Sequence, residues 1–386
     1  AAAAAAGRGV PVLPVAAAVV PPAVVPPETG PLAVDPVCLI YTSGSTGMPK
    51  AVVSTHAQLL FAATAIQGEL SYRADDVVYV PLPLSFDYGL YQLFLAALAG
   101  AHAWLGDSAQ IGPLLLRGLR RSGATVLPAV PSLAANLATM LARYPGVLPL
   151  RLLTNTGAAM PPATLAALRA ALPALRVQLM FGLTECKRVS IMPPDEDLAR
   201  PGAGGRPLPG TEVLVLDDDG TPLPPGRVGE LVVRGPHVMA GYWRRPELTE
   251  QRFPRVGGLF PQLRSGDYGW LDEDGYVFFA GRRDDLYKSR GFRVSATEVE
   301  QAACRLPDVA AAAVLPPGPD LAEPVLFVVR RPDSGPGDDL VDRLREQIEP
   351  YKVPARCVVL DSMPLTANGK TDRRALELRA TAHRPR

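Results

Sequence analysis

Tyr41-Thr42-Ser43-Gly44-Ser45-Thr46-Gly47-Met48-Pro49-Lys50 follows directly on the apolar run Val37 to Ile40, which reads as a strand. Small hydroxyl residues alternating with glycine let a backbone come close to a polyphosphate. N–H groups, hydroxyls and a terminal ammonium can then surround it. The Walker pattern cannot be fitted here, because Gly44 and Gly47 are too close together and Lys50 follows Pro49. A Gly/Ser-rich loop alone is most often just a loop, but the whole string ending in lysine is far more specific. Beyond it, residues 54–67 have helical spacing, 77–82 read as a strand and 88–99 as a helix. Further buried strands are expected at 124–127 and 150–154, with helices at 132–143 and 162–172. This β/α rhythm predicts a mostly parallel sheet covered on both faces. After about residue 205 the pattern changes to valine-rich strands split by turns (211–216, 230–234, 276–280), which predicts an antiparallel, barrel-like unit. The tail, 285–386, alternates again and has the size of a small α+β domain.

The composition narrows the function. The 386 residues have room for more than one domain, and 48% hydrophobic with 20% charged residues excludes disorder as the overall description. A net charge of +1 gives no electrostatic case for nucleic acid or an acidic membrane face. The four cysteines (Cys38, Cys186, Cys304, Cys357) are isolated, and the histidines are scattered without HExxH spacing, which argues against a disulfide scaffold and an all-protein metal cage. Residues 1–34 are rich in proline and alanine. Six prolines cut the apolar stretch below the roughly 20 residues needed to span a bilayer, so the expectation is a cytoplasmic chain. Only five lysines stand against 34 arginines: Lys50, Lys187, Lys288, Lys352 and Lys370.

The string at 41–50 closely resembles the phosphate loop of the adenylate-forming superfamily: acyl-CoA synthetases, nonribosomal peptide adenylation domains and luciferases. Further motifs follow in that superfamily's order. Phe181-Gly182-Leu183-Thr184-Glu185 resembles its aromatic-Gly-x-Thr-Glu motif. Gly205-Arg206-Pro207, Gly229-Glu230-Leu231 and Gly241-Tyr242-Trp243 resemble its linking structural motif. Arg264-Ser265-Gly266-Asp267 is similar to its ribose-binding turn, and Gly281-Arg282-Arg283-Asp284-Asp285 with Lys288 and Gly291-Phe292-Arg293 to its hinge motif. Pro364-Leu365-Thr366-Ala367-Asn368-Gly369-Lys370 closes the series. Lys50, Lys288 and Lys370 fall inside these motifs, Lys187 sits just after one, and Lys352 lies on the approach to the last.

The resemblance implies a large AMP-binding domain over 35–283, partial because family members carry a longer run ahead of the phosphate loop. It also implies a small mobile C-terminal domain over 284–386 with its hinge at Asp284. The implied reaction is attack of a carboxylate on the α-phosphorus of ATP, with pyrophosphate leaving, then transfer of the acyl group to a thiol. Both reactants are anions, so the protein must supply positive charge and exclude water. By resemblance Thr42, Ser43, Gly44, Ser45, Thr46, Gly47 and Lys50 hold the β- and γ-phosphates, with Phe181 and Gly182 at the nucleotide. Thr184 meets the α-phosphate and Glu185 helps hold Mg²⁺. Asp267 accepts the ribose hydroxyls, and Arg282 and Arg293 contact ribose or phosphate. Lys370 bridges the carboxylate and the α-phosphate in the first step. Asp284, Lys288 and Gly291 serve the rotated, thiolating conformation.

For the acid, Pro83 to Gly89 opens a helix expected to line the acyl pocket. Asp87 matches the aspartate that pairs with a substrate α-amino group in amino-acid adenylation domains; read locally, it is also a candidate N-cap for the helix that follows. Tyr88, Tyr91, Thr154, Thr156, Gly157, Met180, Arg188 and Val189 are the expected lining. Arg188 either pairs a second substrate carboxylate or points outward. The closing motif resembles carrier-protein-dependent enzymes more than acyl-CoA synthetases. The leading expectation is therefore an amino acid loaded onto a carrier protein's phosphopantetheine in trans, with ATP and Mg as cofactors. An acyl- or aryl-CoA ligase and a catalytically inactive nucleotide-binding relative are the alternatives.

Overall fold

The computed structural model describes residues 30–42, 49–106, 112–255, 261–282, 286–289, 292–318, 321, 323–331, 340–366 and 371–382. Ser43, Gly44, Ser45, Thr46, Gly47, Asp284, Gly291 and Lys370 lie outside them, as does most of the Pro/Ala-rich start.

The chain opens with β1 (Pro36–Thr42), β2 (Lys50–Thr55) and α1 (His56–Leu70). α1 starts where Thr55 and Gln58 form a reciprocal capping box, the Thr-x-x-Gln signature of a helix N-terminus. Then come β3 (Val77–Val80), α2 (Asp87–Ala99), β4 (His102–Leu105), α3 (Pro113–Ser122), β5 (Val126–Ala129) and α4 (Pro131–Arg143). β6 (Leu152–Asn155), α5 (Pro162–Ala171) and β7 (Arg176–Phe181) complete the β/α part. Proline at the first turn of α3, α4 and α5 suits a position whose N–H has no intrahelical partner. β4-β3-β5-β6-β7 run parallel in one sheet, which β8 (Ser190–Ile191) and β9 (Arg206–Pro207) extend antiparallel. One face buries Val78, Val80 and Leu152 against α1 and α2. The other buries Tyr79, Leu127 and Leu153 against α3, α4 and α5. The two covered faces agree with the expected architecture.

A second unit comprises β10 (Glu212–Leu216), β11 (Gly229–Arg234), β12 (Gly241–Tyr242), α6 (Pro246–Arg252), β13 (Leu263–Leu271) and β14 (Val277–Arg282). β10-β11-β13-β14 form a four-stranded antiparallel sheet, where the sequence pattern predicted an antiparallel, barrel-like unit. β12 instead pairs with β2, so the lysine-bearing strand lies beside Tyr242. The last unit holds the hairpin β15 (Leu286–Ser289) and β16 (Phe292–Ser295), then α7 (Ala296–Arg305), β17 (Val309–Leu315), β18 (Val325–Arg330), α8 (Leu340–Arg345), β19 (Arg356–Leu360) and α9 (Arg373–Ala382). Its sheet, β17-β18-β19, packs its own core of Val299, Leu326 and Val328. No helix among the described residues is long and apolar enough to cross a membrane.

Candidate active site

β5, β6 and β7 end at Ala129, Asn155 and Phe181. The loops leaving β6 and β7 hold Thr156, Gly157, Gly182, Thr184, Glu185 and Arg188, as expected for a ligand site in an open α/β sheet. Gly182 is required in its loop: a Cβ there would lie 2.2 Å from the Lys187 carbonyl oxygen.

The phosphate end of the site centres on Glu185. Lys50 at the start of β2 brings its Nζ to 3.2 Å from Glu185 Oε1 and donates to the Tyr242 hydroxyl at 2.6 Å. That hydroxyl in turn donates to Glu185 at 2.7 Å. Burial pushes the Lys50 ammonium below its ordinary pKa, with Glu185 opposing. Burial also raises the Glu185 carboxyl, but Lys50 and the Tyr242 O–H outweigh it and hold the group below the usual carboxylate range. At neutral pH Glu185 is therefore a carboxylate. Thr42 Oγ1 is buried and has no hydrogen-bond partner among the described residues, as a hydroxyl reserved for a ligand oxygen would be. Among the described residues no three His, Cys, Asp or Glu converge on a metal position. The single carboxylate of Glu185 beside the loop suits a Mg²⁺ bound mainly through phosphate oxygens.

At the ribose end, Arg264–Asp267 opens β13. Glu230 fixes this turn by accepting from Arg264 Nε at 2.9 Å and from the Gly266 N–H at 3.0 Å. Gly266 has φ +67°, a left-handed turn that favours glycine. Asp267 is buried and pairs in register with Arg282 of β14, whose Nε lies 3.3 Å from Oδ1. Two residues predicted for the sugar are thus neighbours. Lys288 and Arg293 stand opposite each other in the β15–β16 hairpin.

The acyl end is built on α2. Its N-cap is Phe86, and Asp87 lies inside the first turn with no capping bond, so the local N-cap reading of Asp87 fails. Asp87 is buried against Arg188, whose Nη1 lies 3.9 Å from Oδ2. The Arg188 guanidinium also donates to the Lys187 carbonyl at 2.6 Å and sits 4.9 Å from the Tyr88 ring centroid. Arg188 therefore does not point outward. Tyr88 is buried, and its hydroxyl is joined to Thr154 at 2.7 Å. Tyr91, Thr156 and Met180 are also buried, while Gly157 is exposed with φ +91°. Val189 packs with Val52, Val213 and Val233 in the core of the antiparallel unit, apart from the cluster that holds Tyr88, Tyr91 and Met180.

Lys187 was not among the predicted pocket residues. It is 1% exposed, donates to the Thr184 carbonyl at 3.0 Å and lies 5.5 Å from the Tyr91 ring centroid. Burial lowers its pKa, while the Asp87 and Cys38 charges raise it, which places all three in one neighbourhood. The signal available in the sequence was the scarcity of lysine. Tyr242 was likewise read only as part of a structural motif. Two buried basic side chains, Lys187 and Arg188, thus stand beside one carboxylate, and two buried donors, Tyr91 OH and Arg188 Nε, lack partners among the described residues.

Comparison with known proteins agrees with this geometry. Residues 8–243 match the model of the AMP-binding enzyme family, and residues 298–370 match that of the AMP-binding enzyme C-terminal domain. The chain belongs to the AMP-binding enzyme family. The L-proline–[L-prolyl-carrier protein] ligase of Streptomyces coelicolor is 36% identical over 357 residues, 90% of this chain and 66% of that protein. The solved structure of VinN with L-aspartate is 47% identical, with a TM-score of 0.59, over 66% of this chain and 62% of VinN. The anthranilate CoA ligase AuaEII, solved with anthranoyl-AMP, is 28% identical with a TM-score of 0.81, over 91% of this chain and 68% of AuaEII. These are adenylate-forming enzymes with a large N-terminal and a small C-terminal domain, and this AMP-binding chain shares that architecture. It spans between 26% and 66% of the length of the first curated relatives.

Proposed function

We propose that this chain activates an amino acid bearing a second carboxylate, of the aspartate kind. The reacting carboxylate oxygen attacks the α-phosphorus of ATP, and the bond to pyrophosphate breaks. A phosphopantetheine thiol, most simply that of a separate carrier protein in the cytoplasm, then attacks the acyl carbon and releases AMP. The observation that carries the reading is the charge set of the acyl pocket. Asp87 supplies the anion that a substrate ammonium needs. Lys187 and Arg188 set two basic side chains beside that one carboxylate, so a second substrate carboxylate would find donors in both. The aspartate bound by VinN in its solved structure supports the same class.

Lys50, Thr42 and the loop between them would receive the β- and γ-phosphates, and Asp267 with Arg282 the ribose. Mg²⁺, when bound, would draw charge from the triphosphate with Glu185 as its protein ligand. The rest falls to Lys370, whose ammonium would neutralise the charge gathering between carboxylate and α-phosphate. We place the hinge at Asp284, between domains over 35–283 and 284–386.

The test is ATP–pyrophosphate exchange with a panel of amino dicarboxylic, neutral amino, aryl and fatty acids. Exchange driven best by aspartate or a close homologue is expected. Exchange driven best by an aryl or fatty acid would overturn the reading in favour of a CoA ligase, for which the relative AuaEII is the precedent.

A further inference from the structure

Residues 108–184 contain seven arginines and no lysine, aspartate or glutamate, in a chain whose overall net charge is +1. Three of these arginines are matched by acids from neighbouring segments: Arg151 by Asp76, Arg169 by Asp195 and Asp197, and Arg176 by Asp195. The other four, Arg117, Arg120, Arg121 and Arg143, are exposed and have no acidic partner among the described residues. They are not scattered. Arg117, Arg120 and Arg121 lie on the outward side of α3, whose inward side buries Leu115, Leu116 and Leu119. Arg143 ends α4, 5.5 Å from the ring centroid of Tyr144. Arg120 reaches across to the Tyr144 carbonyl at 3.5 Å, joining the two helices. Between them runs an open groove of about 520 Å³, with Pro113 and Leu116 on its floor and three of the arginines with Tyr144 around it. Leu114, Tyr144 and Val147 are exposed beside it at 48%, 42% and 93%.

We infer that this groove is a docking site for an acidic amphipathic helix of a partner protein. The two features select that occupant together. Four unmatched guanidiniums ask for several carboxylates, which they can bind in bidentate fashion. The apolar floor and rim ask for leucine-like anchors at helical spacing, the arrangement of a helix laid in a groove. A small anion would satisfy the first and leave the second uncovered. The position is compatible with turnover. α3 feeds the starting end of β5 and α4 descends from its far end, so Arg120, Arg121, Arg143 and Tyr144 sit at the amino ends of the parallel strands. Thr184 and Glu185 follow the opposite end of β7, so a helix bound here leaves the nucleotide cleft open. The inference does not depend on which acid is activated.

The probe is a fluorescein-labelled 18-residue peptide with leucines at positions i, i+3, i+4 and i+7 and glutamates on both flanks, titrated against the full chain. Binding is expected to weaken as salt rises. It should fall roughly tenfold in the Arg117→Glu, Arg120→Glu, Arg121→Glu variant and with a Gln-for-Glu peptide, at an unchanged thermal midpoint. Hydrogen-exchange protection should appear over 113–122 and 143–148. Three outcomes would overturn the inference: no binding to the native chain, equal binding to the reversed variant or of the Gln peptide, or full displacement by equimolar tripolyphosphate, which would mean an anion site only.

Discussion

Replacing Arg188 with methionine separates substrate recognition from catalysis. Methionine keeps an apolar stem against Tyr88 and removes the charge that faces Asp87 at 3.9 Å. At an effective dielectric constant of about 20 that pair is worth about 4 kcal/mol of Coulomb attraction before desolvation is subtracted. Lys187 remains in the same neighbourhood, so Asp87 is not left without a counter-charge and the fold should survive. What the substrate loses is a charge-assisted hydrogen bond to its second carboxylate, about 1.5–3 kcal/mol, or a fall of about 10- to 150-fold in kcat/KM. The assay is pyrophosphate exchange with L-aspartate and, in parallel, L-2-aminobutyrate, which has no second carboxylate. The aspartate value should fall by that factor while the aminobutyrate value stays level or rises. Equal losses for both acids, or no loss for aspartate, would refute the assignment of Arg188 to the substrate.

Lys370→Ala should cut adenylate formation by about 10²–10³ while a preformed aminoacyl-adenylate is still passed to the thiol, measured as thioester by mass spectrometry. Asp284→Pro, which fixes φ at the proposed hinge, should do the reverse and impair thioester formation more than pyrophosphate exchange. Burial lowers the pKa of His237 to about 4, against a smaller opposing effect of the Arg188 backbone. The unfolded chain takes up that proton near pH 6.5, before the folded chain can. Stability is therefore constant above about 6.5 and declines by roughly 3 kcal/mol as pH falls to about 4. Thermal midpoints across that window should show the decline in the native chain and a flatter profile in His237→Gln. Tyr242→Phe keeps the ring against Phe253 and removes the hydroxyl that joins Lys50 to Glu185. It should cost about 1–3 kcal/mol in denaturant unfolding, and an unchanged midpoint would show the link to be idle.

The β/α half was readable because its signals are local. Val77, Val126 and Leu152 start short apolar runs, and prolines mark the first turns of the helices that follow the latter two. α1 starts at His56, behind the Thr55–Gln58 capping box and two residues later than the apolar spacing suggested. The pairing of β2 with β12 was not readable. It joins residues 50–55 to 241–242, and nothing in either stretch names the other; yet that pairing puts Tyr242 on Lys50. The acyl pocket shows a second limit. In an extended chain, neighbouring side chains point to opposite sides, so Lys187 and Arg188 should not both face inward. Lys187 has φ +64°, and the Arg188 N–H folds back to the Cys186 carbonyl at 2.8 Å. The kink turns both cations into the interior. Past it the chain enters β8 at Ser190, and Val189 packs in the other core.

The most direct test follows an oxygen atom. Aspartate labelled with ¹⁸O in its carboxylates is incubated with ATP, the chain and a phosphopantetheinylated carrier protein, and the nucleotide product is weighed. Attack of the substrate carboxylate on the α-phosphorus predicts AMP carrying one ¹⁸O, formed in step with aspartyl thioester. Unlabelled AMP, ADP with labelled phosphate, or no aspartate-dependent AMP would contradict it.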